Sequence, residues 1–299
     1  MDVAAVVLSW NGRDNTLKCL RSLDNVTYRS FHVIVVDNGS TDGSADSISV
    51  SRPGLELVRL NENTGFAKGM NTGIRHAFAA GAEGVVTLNN DMVVDPAFVE
   101  PLADALVSDP RAGAACSQIL FADPPDRVWY AGAPYDPRRG YQGRHTRYGE
   151  PPMPLDATPY VTDRACAGAM LIPRGVAERV GLFDEELFAY AEDVDWSLRA
   201  RRVGKHVLVV PGSIVRHRVS AASGGESSPM SLYYNLRNGL TVAERHAPLG
   251  ALATARRRAE AVAAHGVQGL LSARRREGLV AVRDGWRDFR AGRLGERVT

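Results

Sequence analysis

The chain has 299 residues, with 36 Lys and Arg against 34 Asp and Glu for a formal net charge of +2, and its 44% apolar and 23% charged residues are those of an ordinary globular protein. This composition excludes wholesale disorder and fibrous repeats, and the length allows one large domain or two small ones. The charge is uneven: residues 251–299 carry eleven Arg, no Lys and five acids, a net +6, leaving −4 on residues 1–250, so the basic character belongs to a tail.

In chain order, residues 3–8, 32–37, 55–60 and 84–88 are short β-branched, apolar runs and predict buried strands. Residues 13–23, 65–80 and 96–107 carry helical spacing between or after them. Strands separated by helices imply a mostly parallel sheet covered on both faces, whose ligands bind at the carboxyl ends of the strands. Polar clusters stand at three of those ends: Ser9-Trp10-Asn11, Asp37-Asn38-Gly39-Ser40 and Asn89-Asn90-Asp91. Between 121 and 159 the pattern gives way to Pro, Gly, Tyr and Arg, which predicts a long ordered flap. Residues 165–173 predict a strand or turn, 192–203 a helix, and 206–210 and 213–216 two short extended pieces. Residues 220–228 predict a mobile connection, and from Pro229 the chain turns helical and Arg-rich.

No stretch approaches the ~20 apolar residues a bilayer span needs, and residues 3–8 lack the basic flank and length of a signal peptide, so folding in the cytoplasm is expected. Cys19, Cys116 and Cys166 are widely spaced and form no CxxC, a pattern of buried thiols rather than a disulfide framework.

Several segments bear on chemistry. Asp91 leaves the sheet where a carboxylate can hold a hard cation through oxygen, or simply cap a turn. Glu192, Asp193 and Asp195 share the first turn of a helix, beside Phe188, Tyr190 and Trp196. The helix dipole favours such acids, while apolar surroundings raise a carboxylate towards a usable base. His217 ends an extended run and is either a third ligand or a surface residue. Gly65, Gly69 and Gly73 line one helix face and permit close backbone approach or helix packing. The segment Gly39-Ser40-Thr41-Asp42-Gly43 matches neither GxGxxG nor GxxxxGK[ST]; Ser40 or Thr41 is expected to cap the next helix.

Six blocks occur in one order: Val6-Val7-Leu8-Ser9-Trp10-Asn11, Val35-Val36-Asp37-Asn38-Gly39-Ser40-Thr41-Asp42-Gly43, Asn63-Thr64-Gly65-Phe66-Ala67-Lys68-Gly69-Met70-Asn71, Leu88-Asn89-Asn90-Asp91, Gly181-Leu182-Phe183-Asp184-Glu185 and Tyr190-Ala191-Glu192-Asp193-Val194-Asp195-Trp196. Together they resemble the family 2 inverting glycosyltransferases, in the bacterial rhamnosyltransferase-like branch, from about residue 3 to 239. The resemblance implies a GT-A fold: an α/β catalytic domain over 1–228, with a nucleotide-sugar half (1–120) and an acceptor half (121–228), followed by a helical extension over 229–299. It implies a hexosyltransferase of class EC 2.4 acting in polysaccharide or cell-wall biosynthesis, with a nucleotide-diphosphate sugar such as dTDP-rhamnose as donor and a glycan or lipid-linked hydroxyl as acceptor.

By that resemblance Asp37 recognises the base, with Ser9 and Asn11 in the same pocket, and Asn38, Lys68, Asn71 and Asn90 complete the donor site. Asn90 and Asp91 stand where the family carries DxD, with Asn89 in place of the first carboxylate. Asp91 and His217 would hold Mg²⁺ or Mn²⁺, Asp193 would be the base, and Glu192 and Trp196 would meet the acceptor. A nucleoside diphosphate leaving group gathers negative charge that a divalent ion offsets, and one carboxylate suffices for inversion.

The arginine-rich tail either lies on anionic lipid at the inner face of the membrane or forms a solvated helical cap or a homodimer contact. Sparse aromatics and the lack of an RNA module speak against nucleic acid. A sugar nucleotidyltransferase would open with a Gly-rich phosphate loop, which Ser9-Trp10-Asn11-Gly12 lacks. A non-catalytic nucleotide-sugar-binding module would not need Asp91, Asp193 and His217 to converge.

Overall fold

All seven residues of the first strand, β1 (Val3–Ser9), are buried, as expected of a strand covered on both faces. The computed structural model describes residues 1–136, 139, 145–218 and 228–298. In it β2 (Phe31–Asp37) pairs in parallel with β1, β3 (Glu56–Arg59) extends the sheet beyond β2, and β4 (Gly84–Asn89) pairs in parallel with the other side of β1. The crossovers are α1 (Arg13–Leu23), α2 (Ser44–Ser51) and α3 (Gly65–Ala79).

Helix α3 lies against β1 and β2. A Cβ on Gly69 would stand 2.7 Å from a Leu8 methyl, and one on Gly73 would stand 2.8 Å from a Val36 methyl, so this glycine face serves packing against the sheet. The cap expected of Ser40 or Thr41 is not formed. Gly43, at φ 77°, occupies the N-cap of α2 without a side-chain cap. Asp42 instead accepts from the amides of Ser44 and Gly12, which ties this turn to the loop after β1.

The sheet continues through β5 (Met92–Val94), α4 (Val99–Ser108), β6 (Ala112–Phe121), β7 (Val128–Tyr130), β8 (Tyr160–Thr162), β9 (Ala169–Pro173), α5 (Arg174–Val180), α6 (Glu192–Arg202) and β10 (His206–His217). Among the described residues its order is β3-β2-β1-β4-β9-β6-β10-β5. Strand β9 is antiparallel to both β4 and β6, whereas β6 and β10 run parallel. Strand β6 had no sequence signal: Ala112-Gly113-Ala114-Ala115 has weak β propensity, yet nine of its ten residues are buried, so burial between two strands decides its state. The two extended pieces expected near 206–216 are one strand, interrupted by a register shift between Val210 and Ile214, where Pro211 and Gly212 cannot sustain a regular ladder. The region expected to be a flap carries β7, where the amide of Gly149 donates to Val128.

Residues 220–227 of the connection expected to be mobile lie outside the described residues; Ser228 caps the following helix by accepting from Ser231 N at 3.1 Å. The tail folds into α7 (Pro229–His246), α8 (Ala251–Leu271) and α9 (Arg275–Arg290). Its apolar faces form a second core, in which Leu232, Tyr233, Leu236, Ala261 and Ala281 pack with Phe188 and Ala189. The helices are thus packed onto the loop that precedes α6. Cys19, Cys116 and Cys166 are all buried. Among the described residues no helix is long and apolar enough to cross a membrane.

Candidate active site

Parallel pairing brings the ends of β1, β2 and β4 to one edge, with Ser9 opposite Asp37 and Leu8 opposite Asn89. Ser9 is fully buried and its hydroxyl pairs with that of Thr16 at 2.9 Å. Asn11 sits at φ 54°, and its carboxamide oxygen accepts from Thr41 N at 3.0 Å. Asp37 accepts from Ser40 N at 3.2 Å through one oxygen, while its other oxygen is buried with no hydrogen-bond partner among the described residues. Asn38 donates to the carbonyl of Gly65 and accepts from Thr64 N, both at 3.0 Å, so it fixes the start of α3.

Asn90 and Asp91 form the turn between β4 and β5. Asn90 donates to Thr16 Oγ1 at 2.9 Å and to the carbonyl of Asn11 at 3.3 Å. Strand β5 is antiparallel to β10 and pairs Met92 with His217. That register sets His217 Nε2 3.2 Å from Asp91 Oδ2 although the two are 126 residues apart. The Trp129 ring meets the imidazole edge-on, 4.5 Å between centroids. Among the described residues Asn89 Oδ1, Asp91 Oδ1 and His217 Nδ1 are buried without a hydrogen-bond partner. Orphaned buried acceptors beside an imidazole are a donor set suited to a divalent cation. Among the described residues no three His, Cys, Asp or Glu side chains cluster as ligands.

The acids at the start of α6 follow an unusual backbone. Phe188, Tyr190 and Ala191 stand at φ 63°, 67° and 68°, each a conformation that costs a non-glycine residue of order 1 kcal/mol or more. Asn238 of α7 holds the loop there: its fully buried amide donates to the carbonyls of Leu187, Ala189 and Tyr190 at 2.8, 2.8 and 2.9 Å. Arg237 adds a donor to Leu187. Gly65 makes room on the other side, since a Cβ there would stand 2.5 Å from the Phe188 carbonyl.

The three acids separate by environment. Burial alone would raise Asp195, but hydrogen bonds from His246 and the Arg199 guanidinium outweigh it and hold this carboxyl below its ordinary range. Burial and the neighbouring Asp193 push Glu192 well up, and one of its oxygens has no partner among the described residues. Burial also raises Asp193, against the opposing pull of Arg164 and the amides of Ala167 and Val194. A carboxyl raised by desolvation and open to a cavity is a competent proton acceptor.

These groups surround a cavity of about 740 Å³. Of the residues singled out from the sequence, Asn38, Asn90, Asp91, Glu192, Asp193 and His217 line it. Others serve the frame. Asn71 bridges α3 to the loop before α6, donating to the Phe183 carbonyl and accepting from its amide at 2.8 and 3.0 Å, and Lys68 is exposed on α3. The expectation that Trp196 meets the acceptor is corrected: the ring is fully buried, and its N–H donates to Gly181 O at 2.9 Å. The indole is consumed in fixing α6, so it presents no face to a ligand.

Sequence reasoning missed Trp129, His145, Arg164, Asn235, His265 and Gln268, which also line the cavity. The first two lie in the proline-rich region, which has no readable motif, and the last three belong to α7 and α8. Burial lowers His145 to about 4, so it is neutral at physiological pH.

The family description "Glycosyl transferase family 2" matches residues 4–179. The chain is 25% identical to "dTDP-rhamnosyl transferase RfbF" of Shigella flexneri, over 83% of this chain and 82% of that one. It is 29% identical to "N-acetylglucosaminyl-diphospho-decaprenol L-rhamnosyltransferase" of Mycobacterium tuberculosis, over 82% of this chain and 85% of the relative. Among solved structures, GalNAc-T7 with UDP, GalNAc and Mn²⁺ superposes with a TM-score of 0.59 at 18% identity, over 79% of this chain and 47% of that longer one. The mannosyltransferase PcManGT from Pyrobaculum calidifontis, in complex with GDP-Man and Mn²⁺, superposes with a TM-score of 0.56 at 17% identity, over 98% and 86%. Both share the GT-A fold.

Asn238→Ala removes three buried hydrogen bonds to the carbonyls of Leu187, Ala189 and Tyr190 and is expected to lower stability by about 2 kcal/mol or more, measured by urea denaturation; a wild-type midpoint would contradict the tether. Because Glu192 is raised, its contribution to folding is complete below its ordinary value of 4.5 and is lost as pH climbs through the higher folded value. Glu192→Gln should therefore melt higher than wild type at about pH 8 and lose that advantage near pH 4. Parallel melting curves across the range would refute the raised carboxyl.

Proposed function

This chain belongs to glycosyl transferase family 2, and from that premise we propose that it is a metal-dependent inverting enzyme that moves a sugar, with dTDP-rhamnose as the favoured donor, to a hydroxyl of a lipid-linked glycan. That the chain is a glycosyltransferase with relatives in polysaccharide and cell-wall biosynthesis follows from the matches above; the donor, acceptor and metal dependence are our reading. The observation that carries it is that Asp91, His217 and Asp193 line one cavity, as a transferase requires and a mere binding module does not. The loop after β1 lacks the Gly-rich, basic sequence of a nucleotidyltransferase, which argues against that alternative.

In this reading the donor's base sits at the end of β2, where the orphaned oxygen of Asp37 can accept a ring N–H, with Asn11 and Ser9 framing the turn. Asn38, Asn90 and Lys68 belong to the donor side, Asn71 positions the loop before α6, and Asp91 and His217 would hold Mg²⁺ or Mn²⁺. The ion's contribution is Lewis acidity against the charge that develops on the diphosphate. Asp193 accepts the proton of the incoming hydroxyl. Arg164 beside it pulls that carboxyl down against the rise that burial imposes. Glu192 faces the acceptor, and Asn235 and Gln268 extend that side with amide groups. Inversion follows from a single attack opposite the leaving group, with no covalent intermediate. Residues 1–228 would perform the transfer, and the 229–299 extension closes the acceptor side and brings the enzyme to the cytoplasmic membrane surface.

Asp193→Asn should retain donor binding by calorimetry while turnover of a lipid-linked acceptor falls about a hundredfold or more; near-normal turnover would remove Asp193 from the role of base. Asp91→Ala should abolish divalent-dependent donor binding, and wild-type activity in excess chelator would overturn the metal assignment. A screen of nucleotide sugars for metal-dependent binding identifies the donor.

A further inference from the structure

The arginine triplets of the tail are not equivalent. In the first, Arg257 is buried and donates to the Ala247 carbonyl at 2.8 Å, Arg256 pairs with Glu260, and Arg258 pairs with Glu244. Arg257 and Arg258 are thus taken up between α7 and α8, and Arg256 by an ion pair along α8. In the second, at the turn between α8 and α9, Arg274 pairs with Glu277, and Arg275 and Arg276 are exposed.

Beside those guanidinium groups stand Val267, Leu270, Leu271, Leu279 and Val280, exposed by 55, 43, 81, 38 and 37%. The backbone explains their orientation. Gly269 and Gly278 bring the two helices into contact, a Cβ on Gly269 standing 3.2 Å from Gly278 C. The glycines take the inward positions, so their neighbours in sequence are turned outward. The result is a helix–helix tip that carries exposed apolar side chains together with the exposed Arg275 and Arg276, for which no ion pair is formed among the described residues. A tip that mixes exposed aliphatic and guanidinium groups suits the boundary between acyl chains and anionic headgroups, which take both at once. The same helix wall faces inward: His265 and Gln268, within a turn of the tip, line the catalytic cavity.

We propose that the α8–α9 tip docks this enzyme on an anionic lipid bilayer, with Leu270, Leu271, Leu279 and Val280 entering the interface and Arg275 and Arg276 meeting the headgroups, and that this docking turns the cavity mouth towards the membrane. The proposal deepens the lipid-linked acceptor reading and rests on it for what the docking serves, but vesicle binding itself requires no turnover.

The test is flotation of the full chain with vesicles of phosphatidylcholine and phosphatidylglycerol against phosphatidylcholine alone. Binding is expected only to the anionic vesicles and should weaken with salt. Leu271→Glu and the double variant Arg275→Glu, Arg276→Glu should each lower it by on the order of tenfold or more. Leu252→Glu, at the opposite end of α8 and 86% exposed, should leave it unchanged. All these positions are exposed, and thermal melts that match the wild type are the check that the variants fold. Absence of vesicle binding, equal binding by the tip variants, or a dimer in sedimentation that Leu271→Glu dissociates while lipid binding is nil would each overturn the proposal. Metal-dependent nucleotide-sugar turnover measured in parallel separates the two readings. Turnover without lipid binding removes the docking tip alone; lipid binding by a chain inert towards every nucleotide sugar removes the donor reading and leaves the tip.

Discussion

The buried carboxamide of Asn238 is the constraint on which the catalytic end of this molecule depends. Its N–H groups reach three carbonyls of the 187–191 segment, and that segment holds three non-glycine residues, Phe188, Tyr190 and Ala191, at positive φ just ahead of α6. Such a backbone is unfavourable alone and persists only where surrounding structure over-determines it. Asn238 lies on α7, so the helical extension holds the geometry of a loop that ends in Glu192 and Asp193. The contact of Gly65 with Phe188 links the same loop to the start of α3, and Asn38 fixes that start. Donor side, acid loop and tail thus meet through backbone carbonyls.

A second constraint is the pairing of β5 with β10. A one-residue slip in an antiparallel pair would turn His217 to the other face of the sheet. The register that sets Met92 against His217 brings an imidazole to Asp91 from the far end of the fold. Trp129 then limits the orientation of that imidazole. Strand pairing alone thus fixes the relative position of the two side chains, and a ligand that used both would meet a low ordering cost.

Electrostatics gives three adjacent acids different functions. Asp195 has His246 and Arg199 as partners and acts as an ion-paired strut between α6 and α7. Glu192 and Asp193 line the cavity, and burial raises both. Desolvation that destabilises a folded carboxylate is also what raises its affinity for a proton, so the burial of this pair costs some stability above the ordinary carboxylate range.

The strands ending at Ser9, Asp37 and Asn89, the crossover helices and the acidic start of α6 were legible in the sequence, because each rests on local periodicity or on ordered motifs within a few residues. The six ordered blocks carried the family as well. Local pattern failed where long-range burial governs: the alanine-rich β6 is a strand because β9 and β10 flank it, and Trp196 is an aromatic near the site whose ring turns into the core. The distinction among Glu192, Asp193 and Asp195 also required knowing that His246 and Arg199 reach only one of them. The charge imbalance between tail and body was visible as a count, but only tertiary packing shows Arg257 spent on a helix carbonyl and Arg275 and Arg276 left at an apolar tip. Sequence determined which residues could do chemistry, since side-chain identity and local spacing are local properties; partners, burial and register are non-local, and the folded chain alone decided which of them meet at one cavity.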